Sequence, residues 1–340
     1  MNAGPAGIAL VVDRPGTFRF VDHPSAPPGP GEARVRIHAV GVCGSDREVY
    51  HGTRPAGYVR YPLIPGHEWS GIVEAVGEGV PDSLVGGKCV GEGFRNCQVC
   101  DRCRNGETTL CTAAYEETGF TRPGAMATTL TLPARLLHVL PDDADLACAA
   151  LLEPAACAAA AALRADVRPG DRVAVVGTGA LGLLAVQFVA ASSPAELLAV
   201  GRGSGLRARA EACRAAAYRD VEGLDISGNF DIVIEAAGAP GSARTAASLL
   251  RRGGRLVLAG IPAPDAPGLD PADLVVRQLD VRTVFGAPPA AWAHAVRAFG
   301  AGILDPRPLI THRLPLRDFA RALDLVGSGS PEVGKVLLFP

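Results

Sequence analysis

Three side chains of different chemistry stand out in the amino-terminal half of the chain. Cys43 lies in Gly41-Val42-Cys43-Gly44-Ser45-Asp46, and His67 and Glu68 lie side by side after Pro65-Gly66. A second carboxylate, Glu153, follows far downstream in Leu151-Leu152-Glu153-Pro154. A soft thiolate, an imidazole and a carboxylate together suit zinc, which takes N, S and O ligands in a tetrahedral site. The residues after Glu68, with apolar Ile72, Val73, Ala75 and Val76, read as a strand that would hold such a site stiffly. Ser45, two residues past the thiol, could receive a proton from a reacting hydroxyl. Equally, Ser45 or Asp46 could cap the next short helix.

A second cluster has a different character. Cys97-x2-Cys100-x2-Cys103-x7-Cys111 sets four thiols within fifteen residues, the pattern of a closed structural zinc site. Four thiolates around Zn2+ leave the site at −2, a charge that Arg95, Arg102 and Arg104 are placed to offset. A zinc finger for nucleic acid would need a basic helix next, and Asn105-Gly106-Glu107-Thr108-Thr109 is not one.

A third pattern lies further on. Arg172-Val173-Ala174-Val175-Val176 is a continuous apolar run typical of a buried parallel strand, and Gly177-Thr178-Gly179-Ala180-Leu181-Gly182 follows it into a helical stretch. Between strand and helix, GxGxxG marks a dinucleotide site. Its glycines allow a tight turn, approach of the pyrophosphate and close helix packing, and the phosphates meet the helix N-terminus. The next strand, Glu196–Val200, ends on Gly201-Arg202, with Arg207 a turn later, where an NAD-type site carries Asp or Glu. Loss of the carboxylate and gain of arginine favour NADP(H), with NAD(H) the alternative. Ala237, Gly260 and Phe285 follow further buried strands and complete the expected cofactor-binding set.

These sites need scaffolds. Residues 8 to 40 alternate apolar and polar positions with Pro/Gly punctuation, as an all-β lobe would. His38 falls on the polar, surface phase. Residues 141 to 163 read as alanine-rich helix broken near Glu153-Pro154. Strand and helix patterns alternate from about 155 to 286, with a helix over 242–251 ended by Gly253-Gly254. Helix 290–300 and the tail, with strand-like Gly334–Phe339, return to the first lobe. Composition sets the class: 340 residues allow two domains, hydrophobic content is 48 % and net charge −2. No basic stripe points to nucleic acid. No uninterrupted apolar run points to a membrane, and no signal peptide begins the chain, so a cytoplasmic protein is expected.

The block Gly66-His67-Glu68-Trp69-Ser70-Gly71-Ile72-Val73-Glu74-Ala75-Val76-Gly77, with Cys43-Gly44-Ser45-Asp46 ahead of it, resembles the zinc-dependent medium-chain dehydrogenase/reductase family. The resemblance spans essentially the whole chain. It implies a GroES-like β-rich catalytic domain over 1–154 and 287–340, with a structural zinc lobe at 93–112. It also implies an inserted doubly wound Rossmann domain over 155–286. Two zinc ions per chain are expected, one catalytic on Cys43, His67 and Glu153 and one structural on the four clustered cysteines. Glu68 is a fourth ligand or its stand-in, and Glu153 ligates directly or through water. The activity implied is reversible oxidation of an alcohol, with zinc polarising the hydroxyl, Ser45 taking the proton and hydride passing to the nicotinamide. Relatives with a His five residues past the Cys continue the relay; here that position is Glu48, and His51 is the nearest substitute.

Glu153-Pro154 resembles the polyol and threonine dehydrogenase branch. The GHEWSG block and Gly119-Phe120-Thr121, a pocket-lining segment in the family, are most similar to the 2-deoxy-scyllo-inosamine dehydrogenases of antibiotic biosynthesis. Sorbitol enzymes carry Arg after the last Rossmann strand, where this chain has Gly286-Ala287. A polyol, cyclitol or aminocyclitol is the leading substrate and a threonine-type amino alcohol the alternative. A catalytically idle cofactor sensor is the reading from another class, opposed by the intact Cys43, His67 and Glu153. A homodimer or homotetramer is what the family suggests.

Overall fold

In the computed structural model, residues 7–225, 227–263 and 265–340 are described. Positions 1–6, where the first expected domain begins, and positions 226 and 264 of the second lie outside them. The chain divides into two compact units, residues up to Glu153 with Ile310–Pro340, and Pro154–Leu309.

The first unit is built on a seven-stranded sheet. Its order is Ile310–Pro315, Lys335–Phe339, Glu32–Val42, Glu68–Val76, Lys88–Gly91 and Leu137–Val139, with Thr129–Pro133 also paired to Glu32–Val42. A separate hairpin joins Gly7–Arg14 to Thr17–His23. Period-two alternation buries Ala33, Val35 and Ile37 and leaves His38 exposed, as the pattern predicts. These side chains pack with Trp69, Met126, Leu132 and Phe319 into one core. Two pairings matter for function. Gly41 lies opposite Glu68 in the antiparallel ladder, and Val42 lies opposite Val336. Residues 41–43, 67–68 and 335 are thereby brought to one end of the sheet.

The alanine-rich segment differs from its expected form. It makes two helices, Leu146–Ala149 and Leu152–Ala165, and the break falls at Ala150-Leu151. Glu153 and Pro154 open the second helix instead of interrupting it, because proline in a first turn gives up only an amide that has no helical partner.

The second unit carries a six-stranded parallel sheet. Its order is Ala217–Asp220, Glu196–Gly201, Arg172–Val176, Phe230–Glu235, Leu250–Leu258 and Asp280–Thr283, which in order of appearance is 3-2-1-4-5-6, the doubly wound arrangement. Ala217–Asp220 has no clear period in sequence and forms by pairing with Glu196–Gly201. The helix Ser242–Leu249 stops before Gly253-Gly254. Those glycines sit inside the next strand segment, where the register jumps from Phe230↔Leu250 to Ile232↔Arg255 and Gly253 takes φ 71°. The return to the first unit comes at Ile310, not at 287. Residues 287–309 stay with the second unit because Phe188 stacks near His294, at 5.4 Å between ring centroids, and Gln187 holds both the amide and the carbonyl of Asp305.

Candidate metal centres and nucleotide-binding edge

Gly66 sets the direction of His67. It has φ 98°, and a Cβ there would come within 2.9 Å of Met126, so glycine is required for the turn into the strand. Cys43 leaves the neighbouring strand and caps the helix Gly44–His51. Its amide donates to Asp46 Oδ2 at 2.9 Å, so Asp46 serves from the third helical position and is not itself the cap. Ligand atoms of Cys43, His67 and Glu68 consequently lie within 4.8 Å of one another.

Sequence reasoning had assigned Asp46 nothing beyond a cap. Its second oxygen, Oδ1, faces His67 Nδ1 at 3.7 Å, and both atoms are buried with no hydrogen-bond partner. An imidazole oriented by a carboxylate on one nitrogen, with a thiol by the ring, is the arrangement of a metal-ligating histidine and its supporting carboxylate. Burial pulls the His67 pKa down, but Asp46 and Cys43 outweigh it and hold the imidazole well above its usual range. Negative groups around this ring thus favour a cation. The donor set and its unpartnered polar atoms fit zinc. Asp46→Asn keeps an oxygen for the cap and removes the charge; zinc affinity, measured by competition with a chelator, is expected to fall about 10–100-fold.

Glu68 has a partner that the local motif does not reveal. Lys335, from the carboxy-terminal strand, donates to both oxygens of its carboxylate. Both side chains are buried, at 7 % and 1 % exposure. Desolvation works against the Lys335 charge, but Glu68, Cys43 and Glu153 raise its pKa, so the ammonium persists. Glu68 is therefore committed to an ion pair beside the donors. Glu153, at the start of its helix, acts electrostatically on both Lys335 and Glu117, but it is not in the group of donors whose ligand atoms meet within 4.8 Å.

Ser45 is half-buried in the first turn of its helix. Neither relay candidate beyond it points inward. Glu48 is exposed and meets Arg54 at 3.5 Å. His51 is exposed and lines a surface cavity with Arg47, Tyr50 and Asp324. Phe120, expected as pocket lining or core, is buried with its ring 4.7 Å from that of His67.

The four clustered thiols, Cys97, Cys100, Cys103 and Cys111, also lie within 4.8 Å of one another. The chain's nine cysteines are all free, so no disulfide competes. Backbone N–H groups of Thr112 and Cys103 pull the Cys100 thiol down to about 6, whereas desolvation pushes Cys103 up to about 12. Backbone amides aimed at sulfur, such as Cys103 N–H on Cys100 Sγ at 3.4 Å, are preformed for thiolates. Of the arginines expected to offset this charge, Arg102 is paired with Glu107 at 2.9 Å.

At the carboxyl edge of the parallel sheet, Gly177 takes φ 110° and Gly182 packs so close that its Cβ would sit 1.9 Å from Gly177 O. Gly179 caps the helix Ala180–Ala190, and the space where its Cβ would stand is open. The Gly201 position has a tertiary cause. A Cβ there would lie 2.2 Å from Thr178 Oγ1 and 2.8 Å from the Tyr218 hydroxyl, so a side chain at this position would require those two hydroxyls to shift. Arg202 and Arg207 are exposed beside it, Arg207 5.4 Å over the Tyr218 ring. Glu235, another residue absent from the sequence-derived set, accepts from the amides of Ala237 and Gly238 at 2.8 and 2.9 Å and shapes that loop. Gly260 donates to Glu235 O at 3.0 Å, and Phe285 is half exposed.

A doubly wound sheet with a glycine-rich first turn, joined in one chain to a β-rich unit bearing two metal-donor clusters, defines a dehydrogenase architecture. Residues 29–142 match the alcohol dehydrogenase GroES-like domain and residues 149–329 the glucose dehydrogenase C-terminus. The chain is 33 % identical to an erythritol/L-threitol dehydrogenase of Mycolicibacterium smegmatis, over 98 % of this chain and 97 % of that one. It is 28 % identical to an L-threonine 3-dehydrogenase of Proteus mirabilis over 96 % of each. A zinc-binding dehydrogenase of Sinorhizobium meliloti 1021, solved bound to NADP, superposes with a TM-score of 0.92 at 26 % identity, covering 99 % of this chain and 100 % of that one. The protein belongs to the zinc-dependent medium-chain dehydrogenase/reductase (alcohol dehydrogenase) family and is an oxidoreductase. Among the described residues, no helix is long and apolar enough to cross a membrane.

Proposed function

We propose that this chain oxidises a secondary hydroxyl of a polyol, cyclitol or aminocyclitol to a ketone, reversibly, with zinc and NADP(H). The observation that carries the reading is the convergence of Cys43 with His67 and Glu68, from two separate chain segments, to within 4.8 Å. Cys43, His67 and Glu153 would hold the catalytic zinc, and Cys97, Cys100, Cys103 and Cys111 a structural one. Bound there, zinc would contribute Lewis acidity toward a substrate hydroxyl and the nicotinamide cofactor the capacity to take up hydride. The protein's own part is positional. Asp46 orients His67, Lys335 neutralises Glu68, and Ser45 takes the proton that leaves the hydroxyl. The erythritol/L-threitol relative supports a polyol, and L-threonine belongs in the same substrate panel as the competing choice. Metal analysis of the purified protein should return two zinc ions per chain. A value of one, lost on replacing Cys97, would mean that the catalytic donors hold none.

NADP(H) is the favoured cofactor because Gly201 carries no carboxylate while Arg202 and Arg207 stand exposed beside it. Arg202→Ala should raise KM for NADP about tenfold or more and leave KM for NAD within about twofold, since a charge-assisted contact to a phosphate contributes on the order of 1.5–3 kcal/mol. Equal effects on both would remove the 2′-phosphate assignment. A cytoplasmic homodimer or homotetramer completes the proposal; sedimentation of the purified enzyme tests the assembly.

A further inference from the structure

A second polar cluster lies in the first unit, outside the motifs that point to metal. Glu117 is buried, its side chain only 8 % exposed. The Tyr115 hydroxyl donates to Glu117 Oε2, and Arg54 Nη2 lies 3.7 Å from the same oxygen. Arg54 is heavily shared. Its guanidinium lies 3.7 Å over the Phe120 ring, reaches Glu48 at 3.5 Å, and donates to Tyr58 O at 2.9 Å and Tyr115 Oη at 3.3 Å. One cation thus serves two carboxylates, and among the described residues both partners of Glu117 sit on Oε2. Oε1 faces Gly93, where a Cβ would stand 3.2 Å from it.

The cluster adjoins the donor site. Phe120 lies between Arg54 and His67, in contact with both rings or planes. Glu117 senses the charges of His67 and Glu153 directly. Desolvation, with Glu153 adding to it, pushes the Glu117 carboxyl up to about 7, against the pull of His67 and Arg54. A carboxylate with one oxygen uncommitted and a like charge nearby gains from an added hydrogen-bond donor. A rigid turn holds it in place: the Glu117 amide donates to Thr121 Oγ1 at 2.8 Å, and its carbonyl accepts from the amides of Thr121 and Arg122 at 3.0 Å.

We infer that Glu117 is a specificity-determining residue, accepting on Oε1 a hydrogen bond from an O–H or N–H donor carried next to the hydroxyl that is oxidised, with Arg54 and Tyr115 holding the carboxylate for that contact. The inference rests on the dehydrogenase reading above and names what that site selects: a vicinal diol or vicinal amino alcohol over a simple alcohol. A missing partner for a buried polar group discriminates far more strongly than a change in apolar fit.

The test uses the zinc-loaded full chain with three compounds on one ring skeleton, cyclohexanol, trans-1,2-cyclohexanediol and trans-2-aminocyclohexanol, reading NADPH formation. For wild type, kcat/KM on the diol or amino alcohol should exceed that on cyclohexanol. Glu117→Ala should lower that ratio about tenfold or more, the loss expected for a hydrogen bond to a charged group. Glu117→Gln keeps the shape and an acceptor oxygen. If the preferred donor is a hydroxyl it should restore most of the diol ratio, and if it is an ammonium the amino alcohol ratio should stay low. Loss by one common factor on all three compounds in both variants overturns the inference while leaving the dehydrogenase reading intact. A wild-type enzyme inactive on all three and on the wider polyol panel overturns the polyol substrate proposed above and this inference with it.

Discussion

Replacing His67 with alanine is expected to lower kcat/KM at least about 10³-fold and to leave one zinc per chain where two are proposed for the wild type. The size follows from what the imidazole contributes. His67 is the buried nitrogen donor between Cys43 and Glu68, with Asp46 3.7 Å behind it. Its loss removes a metal ligand and leaves Asp46 as a buried carboxylate facing a void. The four-cysteine cluster is assembled by its own short loop and its own backbone amides, so the zinc proposed there should stay bound and the fold survive. Metal analysis and circular dichroism, run beside the assay, separate the two sites. Retention of two zinc ions, or of more than about a tenth of the activity, would refute the assignment of His67 as a metal ligand.

Replacing Lys335 with methionine destabilises the first unit by about 3–5 kcal/mol, because Glu68 then keeps a charge inside the protein with no counter-ion. A melting temperature lower by roughly ten degrees is expected. The double variant Glu68→Gln with Lys335→Met should recover much of the loss, since a neutral amide is far cheaper to bury than a lone carboxylate. A single variant that melts within about one degree of wild type would mean that the ion pair is not what stabilises this end of the sheet. Lys335 occupies both oxygens of Glu68, so the side chain next in sequence to His67 is held by a cation, while Glu153 arrives from a different element.

The amino-acid sequence alone determined the parts of this protein whose chemistry is local. Cys97, Cys100, Cys103 and Cys111 lie within one loop, and their spacing suffices to place four sulfurs together. Gly177, Gly179 and Gly182 sit between an apolar strand and a helix, and short-range sterics impose the turn. The alternation in Glu32–Val42 identifies the buried face because strand side chains repeat every two residues. Tertiary structure decided everything that depends on pairing between distant segments. Lys335 meets Glu68 because Lys335–Phe339 and Glu68–Val76 flank the same strand, a pairing set by buried apolar faces and not by either charge. Asp46, which backs the Cys43 cap through one oxygen, comes to face His67 with the other only when the Gly66 turn brings that ring across. Glu117 and Arg54, 63 residues apart, carry no motif and converge where the chain folds back over Phe120. Gly201 looks in sequence like a missing carboxylate; only the fold shows that the Thr178 and Tyr218 hydroxyls border the space a side chain would take there.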